Sequence, residues 1–189
     1  MASQLVKIQE TTAAEICARF ELEQKALPLL RGGIGPREFV EALLADKQYA
    51  TGIDFMAHAL PAREAVWWGC LCLQHACGNN LSAADRVACT AAVQWVMRPT
   101  EQNRAAAKGP AEAAKAPSPA GALARATSLT GGSLGPSNLP PVAPPPFAWA
   151  AYVATAVKFA AIKAEPARIA ETRRLFVELG IGLAEGRYT

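Results

Sequence analysis

From Val66 to Leu73 the chain reads VWWGCLCL, without a charge on any side. A surface helix shows one apolar stripe, whereas a helix that is apolar all round is enclosed by other elements or by lipid. The run extends to about twelve apolar residues, too few to cross a bilayer, which takes about twenty. The stretch Leu60–Gly78 (LPAREAVWWGCLCLQHACG) is therefore expected to be a buried central helix. Pro61 suits its first position, and Glu64 meets the positive end of its dipole. Trp67 and Trp68, about 100° apart on such a helix, should anchor packing in two directions.

The flanking sequence supplies helices to enclose it. Thr12 with Glu15 forms a capping-box pattern before Ile16 and Phe20. Gly32, Gly33 and Gly35 mark a break, and Pro36 restarts a helix carrying Phe39, Val40, Leu43 and Leu44 on one side. A third helix, about Gln48–Ala59, places Tyr49, Ile53, Met56 and Leu60 together. After a turn at Gly78-Asn79-Asn80, Ser82 caps a helix whose apolar residues are Val87, Ala91, Val93, Trp95 and Met97. The expected fold is all-α, a compact multi-helix bundle joined by short turns. A short α-solenoid is the alternative arrangement, suggested by the likeness of Arg37-Glu38-Phe39-Val40 to Arg63-Glu64-Ala65-Val66.

Three segments follow from composition. Residues 1–98 form the helical core. Residues 99–146 hold all of the fourteen prolines except Pro28, Pro36, Pro61 and Pro166, and no aromatic residue. The part from Ala116 to Pro146 reads as a core-less loop or linker, extended at Pro144-Pro145-Pro146, with helical pieces at Thr100–Lys108 and Ala120–Ala126. Residues 147–189 return to helix as a pair packing on the core. Trp149, Val153, Ala156 and Ala160 make the stripe of the first, and Lys158 interrupts it as a membrane span. In the second, opened by Pro166, Ile169, Leu175, Phe176 and Leu179 face inward, and Gly180 and Gly182 end it.

A net charge of +3 without a Lys/Arg cluster argues against nucleic acid as partner. The N-terminal MASQLVKIQETTAAEI lacks a basic start and an unbroken apolar core, so the cytoplasm is the expected compartment. Five cysteines (Cys17, Cys70, Cys72, Cys77, Cys89) form no spaced framework and read as reduced, buried thiols. Cys70, Cys72, His75 and Cys77 invite a metal, but positions 70 and 72 point about 200° apart on a helix. No metal or other cofactor is expected. A thiol nucleophile with His58 or His75 as base is also disfavoured, because these thiols sit mid-helix or at its C-terminal end. No catalytic residue is assigned. Arg63 and Glu64 sit at the mouth of the apolar helix, near Asp54 and His58. They form either an ion pair closing the bundle end or the rim of a partner groove backed by Trp67 or Trp68.

The run FVEALLADKQYATGIDFMAHALPAREAVWWGCLC (Phe39–Cys72) resembles an uncharacterised bacterial protein family with an ALPxREAVWW core. The core is carried here by Ala59, Leu60, Pro61, Arg63, Glu64, Ala65, Val66, Trp67 and Trp68, with Phe39, Leu43, Asp54 and His58 upstream. The resemblance implies an association with type VI secretion gene clusters, near genes for PAAR-like spike tips and their loading proteins, and no established activity. Together these readings point to a cytoplasmic, non-enzymatic adaptor or chaperone-like protein. Its partner would be a secretion effector or PAAR-like spike component, bound through Asp54, His58, Arg63, Glu64, Trp67, Trp68, Trp149 and Tyr152. The rivals are a small helical enzyme or toxin built on His58, Arg63 and Glu64, and a structural oligomerisation module.

Overall fold

A computed structural model describes residues 4–78, 80–114, 118–135 and 138–188. The first residues of the polar lead, Asn79 of the expected turn, residues 115–117 and 136–137 of the expected linker, and Thr189 lie outside the described residues. The described chain forms ten α-helices and no strand. They are α1 (Ala13–Cys17), α2 (Pro36–Ala45), α3 (Tyr49–Ala59), α4 (Ala62–Cys77), α5 (Ala83–Met97), α6 (Glu101–Ala106), α7 (Lys108–Ala113), α8 (Pro119–Ser128), α9 (Ala148–Ala164) and α10 (Ile169–Ala184). Among the described residues no helix is long and apolar enough to cross a membrane.

The caps form as the side chains dictate. Glu15 accepts hydrogen bonds from the Thr12 amide and hydroxyl, both at 2.9 Å, at the start of α1. Ser82 accepts from the Asp85 amide at 3.1 Å at the start of α5. Pro61, by contrast, is the N-cap of α4 and not its first residue, with ψ 152. Leu60, with ψ 144, and Pro61 together turn the chain from α3 into α4.

Helix α4 is central, touching α5, α8, α9 and α10. The last two lie about a hundred residues away in sequence, whereas in a solenoid each repeat touches its neighbours alone. The arrangement is a bundle. Trp68 is fully buried, and its indole N–H donates to the Phe176 carbonyl of α10 at 2.8 Å. Gly180 eases this seat: a Cβ there would lie 3.2 Å from the indole ring. The expectation that Gly180 and Gly182 end the last helix is thus corrected, since α10 runs through both to Ala184. An interior glycine costs about 1 kcal/mol of helix propensity, and the buried tryptophan outweighs it.

Two further expectations change. Helix α4 is not enclosed all round, because Trp67 and Leu71, four residues apart on one face, are only partly buried. In α5 the buried face is Ala88, Ala91, Ala92, Trp95 and Val96, while Val87 and Met97 are exposed.

The largest departure lies in residues 99–146. Helix α8 is core: Ala120, Leu123, Ala124 and Ala126 are fully buried against α4, α5 and α9. Leu123 packs where Gly69 of α4 has no side chain. Polar pins hold both ends of α8. At its N-cap, the Ser118 hydroxyl accepts from the Gly121 amide at 3.0 Å and donates to the buried Asp85 carboxylate of α5. At its C-terminal end, Arg104 of α6 donates to the Ser128 carbonyl, and Gly132, at φ 70, leaves room for the guanidinium. Proline content and the lack of aromatic residues suggested a core-less linker, but the alanines of α8 give close helix contact.

The burial difference between the paired tryptophans is measurable. Trp68→Ala is expected to lower unfolding free energy by about 3–5 kcal/mol, and Trp67→Ala by clearly less, in urea denaturation. Equal losses would contradict the one-sided enclosure of α4.

Candidate functional site

Asp54 and His58 lie one turn apart on α3. The His58 ring, 3% exposed, places Nδ1 2.8 Å from the Asp54 carbonyl. A carbonyl oxygen only accepts, so Nδ1 carries the proton and Nε2 is left as an acceptor in the neutral ring. No hydrogen bond among the described residues engages Nε2. Phe20 stacks on the imidazole, centroids 4.8 Å apart, and Phe147 approaches it at 6.5 Å. Arg19 donates to the His58 carbonyl at 2.7 Å, satisfying a free carbonyl near the end of α3. The same guanidinium pairs with Glu10 and lies 4.5 Å over the Phe147 ring. The Asp54 carboxylate accepts from Lys158 of α9 at 2.6 Å on both oxygens. Arg19, Phe20, Asp54, His58 and Phe147 border an open hollow of about 440 Å³, which Pro145 and Pro146 also line.

Phe147 is in the left-handed region, φ 56. A bulky residue rarely adopts it, at a cost of about 1–3 kcal/mol. The residue stands at the N-cap of α9, where the chain turns out of a proline-rich strap. Described residues 138–146 of that strap are exposed apart from a half-buried Pro144, with Leu139 at 57% and Val142 at 55% exposure. Two bonds tie the strap to Ser133 and Leu134, earlier in the same connection between α8 and α9. The Leu134 amide donates to the Val142 carbonyl at 2.8 Å, and the Val142 amide donates to the Ser133 hydroxyl at 3.0 Å.

The candidate residues drawn from sequence do not form one constellation. Arg63 donates to the Val96 carbonyl at the end of α5 at 2.7 Å, and Glu64 pairs with Lys7 at 3.7 Å. Neither pairs with the other, and neither lines the hollow beside His58. Trp68 is fully buried and cannot back a groove, which corrects that expectation. Trp67 and Trp149 are half-buried. Tyr152, 41% exposed, lines a second hollow of about 360 Å³ with Phe159 and Arg125. Sequence reasoning missed Arg19, Phe20, Phe147 and Lys158 as parts of the His58 site. Lys158 had a visible signal, being a lone charge within an apolar helical run, and Phe147 follows three prolines.

Cys17, Cys70 and Cys72 are buried as expected, whereas Cys77 and Cys89 are only half-buried. Burial pushes the Cys17 thiol up to about 11, and raises Cys70 and Cys72 further. This is opposite to thiolate activation. Among the described residues no three His, Cys, Asp or Glu side chains are grouped to hold a metal ion. His75 is exposed and meets Phe176 edge-on at 5.8 Å.

Burial depresses the affinity of His58 for a proton, and Arg19 and Lys158 act in the same direction, against the Asp54 carbonyl and carboxylate. The unfolded state then binds the proton more readily, so stability falls as pH drops below about 6.5. The loss of stability between about pH 7.5 and about pH 5 is expected to be smaller in His58→Gln than in the native chain. Denaturant titrations at the two pH values check this; equal losses would contradict it.

No curated protein and no solved structure matches the chain. A family model described as "Family of unknown function (DUF6931)" matches residues 39–184. That span runs from α2 through α10 and takes in Asp54, His58, Phe147 and the strap, so the chain belongs to this family.

Proposed function

We propose that the protein is a non-enzymatic accessory factor, an adaptor or chaperone-like protein that binds another protein. The observation that carries this reading is the strap at 138–146, which displays Leu139 and Val142 to solvent from a segment tied back to Ser133 and Leu134 and leading directly into α9. Exposed apolar side chains on a fixed support supply contact area at little ordering cost, which favours association. Tyr152, beside Arg125 at the second hollow, adds an exposed aromatic of the kind common at interfaces.

The partner is assigned through the ALPxREAVWW resemblance to type VI secretion, as an effector or PAAR-like spike component held in the cytoplasm before export. His58, Arg63 and Glu64 do not converge on one concave site, so the enzyme reading gains no support from their geometry.

The test is co-purification of the tagged chain with each product of its adjacent genes, expressed together. One product is expected to co-elute, and replacing residues 139–146 by a Gly/Ser segment of equal length should reduce its recovery about tenfold or more, as loss of about 1.4 kcal/mol or more implies. Recovery of none of them would overturn the proposal.

A further inference from the structure

We infer that Leu139–Pro146 is presented as a polyproline II ligand for an aromatic-lined groove on the partner, an inference that rests on the protein-binding reading above. The segment reads LPPVAPPP. Proline fixes φ near about −65°, and a residue before proline is steered to the extended or polyproline II region. Pro140, Pro141, Pro144, Pro145 and Pro146 are restricted in the first way, and Leu139 and Ala143 in the second. Val142 alone escapes both restrictions. It is also the residue tied back to the start of the same α8–α9 connection, through its amide to the Ser133 hydroxyl and through its carbonyl to the Leu134 amide. Covalent restriction and two hydrogen bonds together leave the segment little freedom to lose on binding.

The chemistry of the segment selects among recognition modes. Prolines have no N–H, so the strap cannot pair along its length with a sheet edge. No charged residue occurs between Arg125 and Lys158, which removes recognition by charge. With three residues per turn, Leu139, Val142 and Pro145 form one ridge, and Pro141 and Pro144 the next. Four of these five are exposed, Pro144 being half-buried. A groove of aromatic rings that accepts proline and aliphatic ridges is the complementary surface.

The test uses the full chain with a purified SH3 domain, a purified WW domain and a purified EVH1 domain, three unrelated folds sharing such a groove. Binding is read from the fluorescence of the groove aromatics. At least one domain is expected to bind, and the Pro141→Ala, Pro144→Ala double variant should bind about tenfold or more weakly, a difference of about 1.4 kcal/mol or more. Circular dichroism confirms that the variant keeps its helices. Binding by none of the three, or binding unchanged in the variant, overturns the inference. The same variant and Leu139→Ser, Val142→Ser are carried through the co-purification. Capture that survives the proline substitutions but fails with the serine substitutions overturns polyproline recognition and leaves partner binding standing. Capture of no product removes both.

Discussion

The contact between Trp68 and α10 is the constraint on which the other placements depend. An indole buried to zero exposure must satisfy its N–H, and the Phe176 carbonyl does so from a helix about a hundred residues away. Gly180 eases the close approach, since a Cβ there would crowd the ring at 3.2 Å. Once α10 is drawn to α4, the intervening chain has to route α8 and α9 into the remaining space. They fit because Ala120, Ala124, Ala156, Ala160 and Ala161 leave their axes free to come close. Lys158 of α9 then falls opposite Asp54, where the pair ties α9 to α3.

Much of the helical framework was legible because its signals are local. Prolines and glycines at 32–36, capping residues at Thr12 and Ser82, and the uncharged run at Val66–Leu73 each act within one or two turns. The all-α class followed from them. What was not legible depends on partners remote in sequence. Ala120–Ala126 reads as a helical piece within a core-less linker until Asp85 and Arg104 are known to pin its ends. Gly180 and Gly182 look like stops until the indole is known to lie on the first.

The site divides along the same line. The sequence places Asp54 and His58 on adjacent turns, and they remain together. It also suggests Arg63 and Glu64 as neighbours of that pair, yet each is used elsewhere, on the end of α5 and on Lys7. Arg19 and Phe20 were invisible as members because nothing local ties residues 19–20 to α3. Their role comes from the free carbonyl at His58 and the flat face of its ring, both consequences of where α3 ends.

The hollow and the strap are mechanically one feature. Pro145 and Pro146 line the hollow, and Phe147, held left-handed, sets the direction in which the strap leaves α9. That conformation persists because the Phe147 ring is held beneath Arg19, and Arg19 is itself fixed by Glu10 and the His58 carbonyl. Swinging the strap away from the body would therefore disturb the Arg19 contact. Neutral His58 belongs to the same arrangement: its Nδ1–H is committed to Asp54, and a second proton would add charge beside Arg19 and Lys158. A segment that the sequence presents as a tether is thus directed at its α9 end by Phe147 against Arg19, and closed on itself by Val142 against Ser133 and Leu134. Fixed direction, more than apolar content, distinguishes a docking element from a linker.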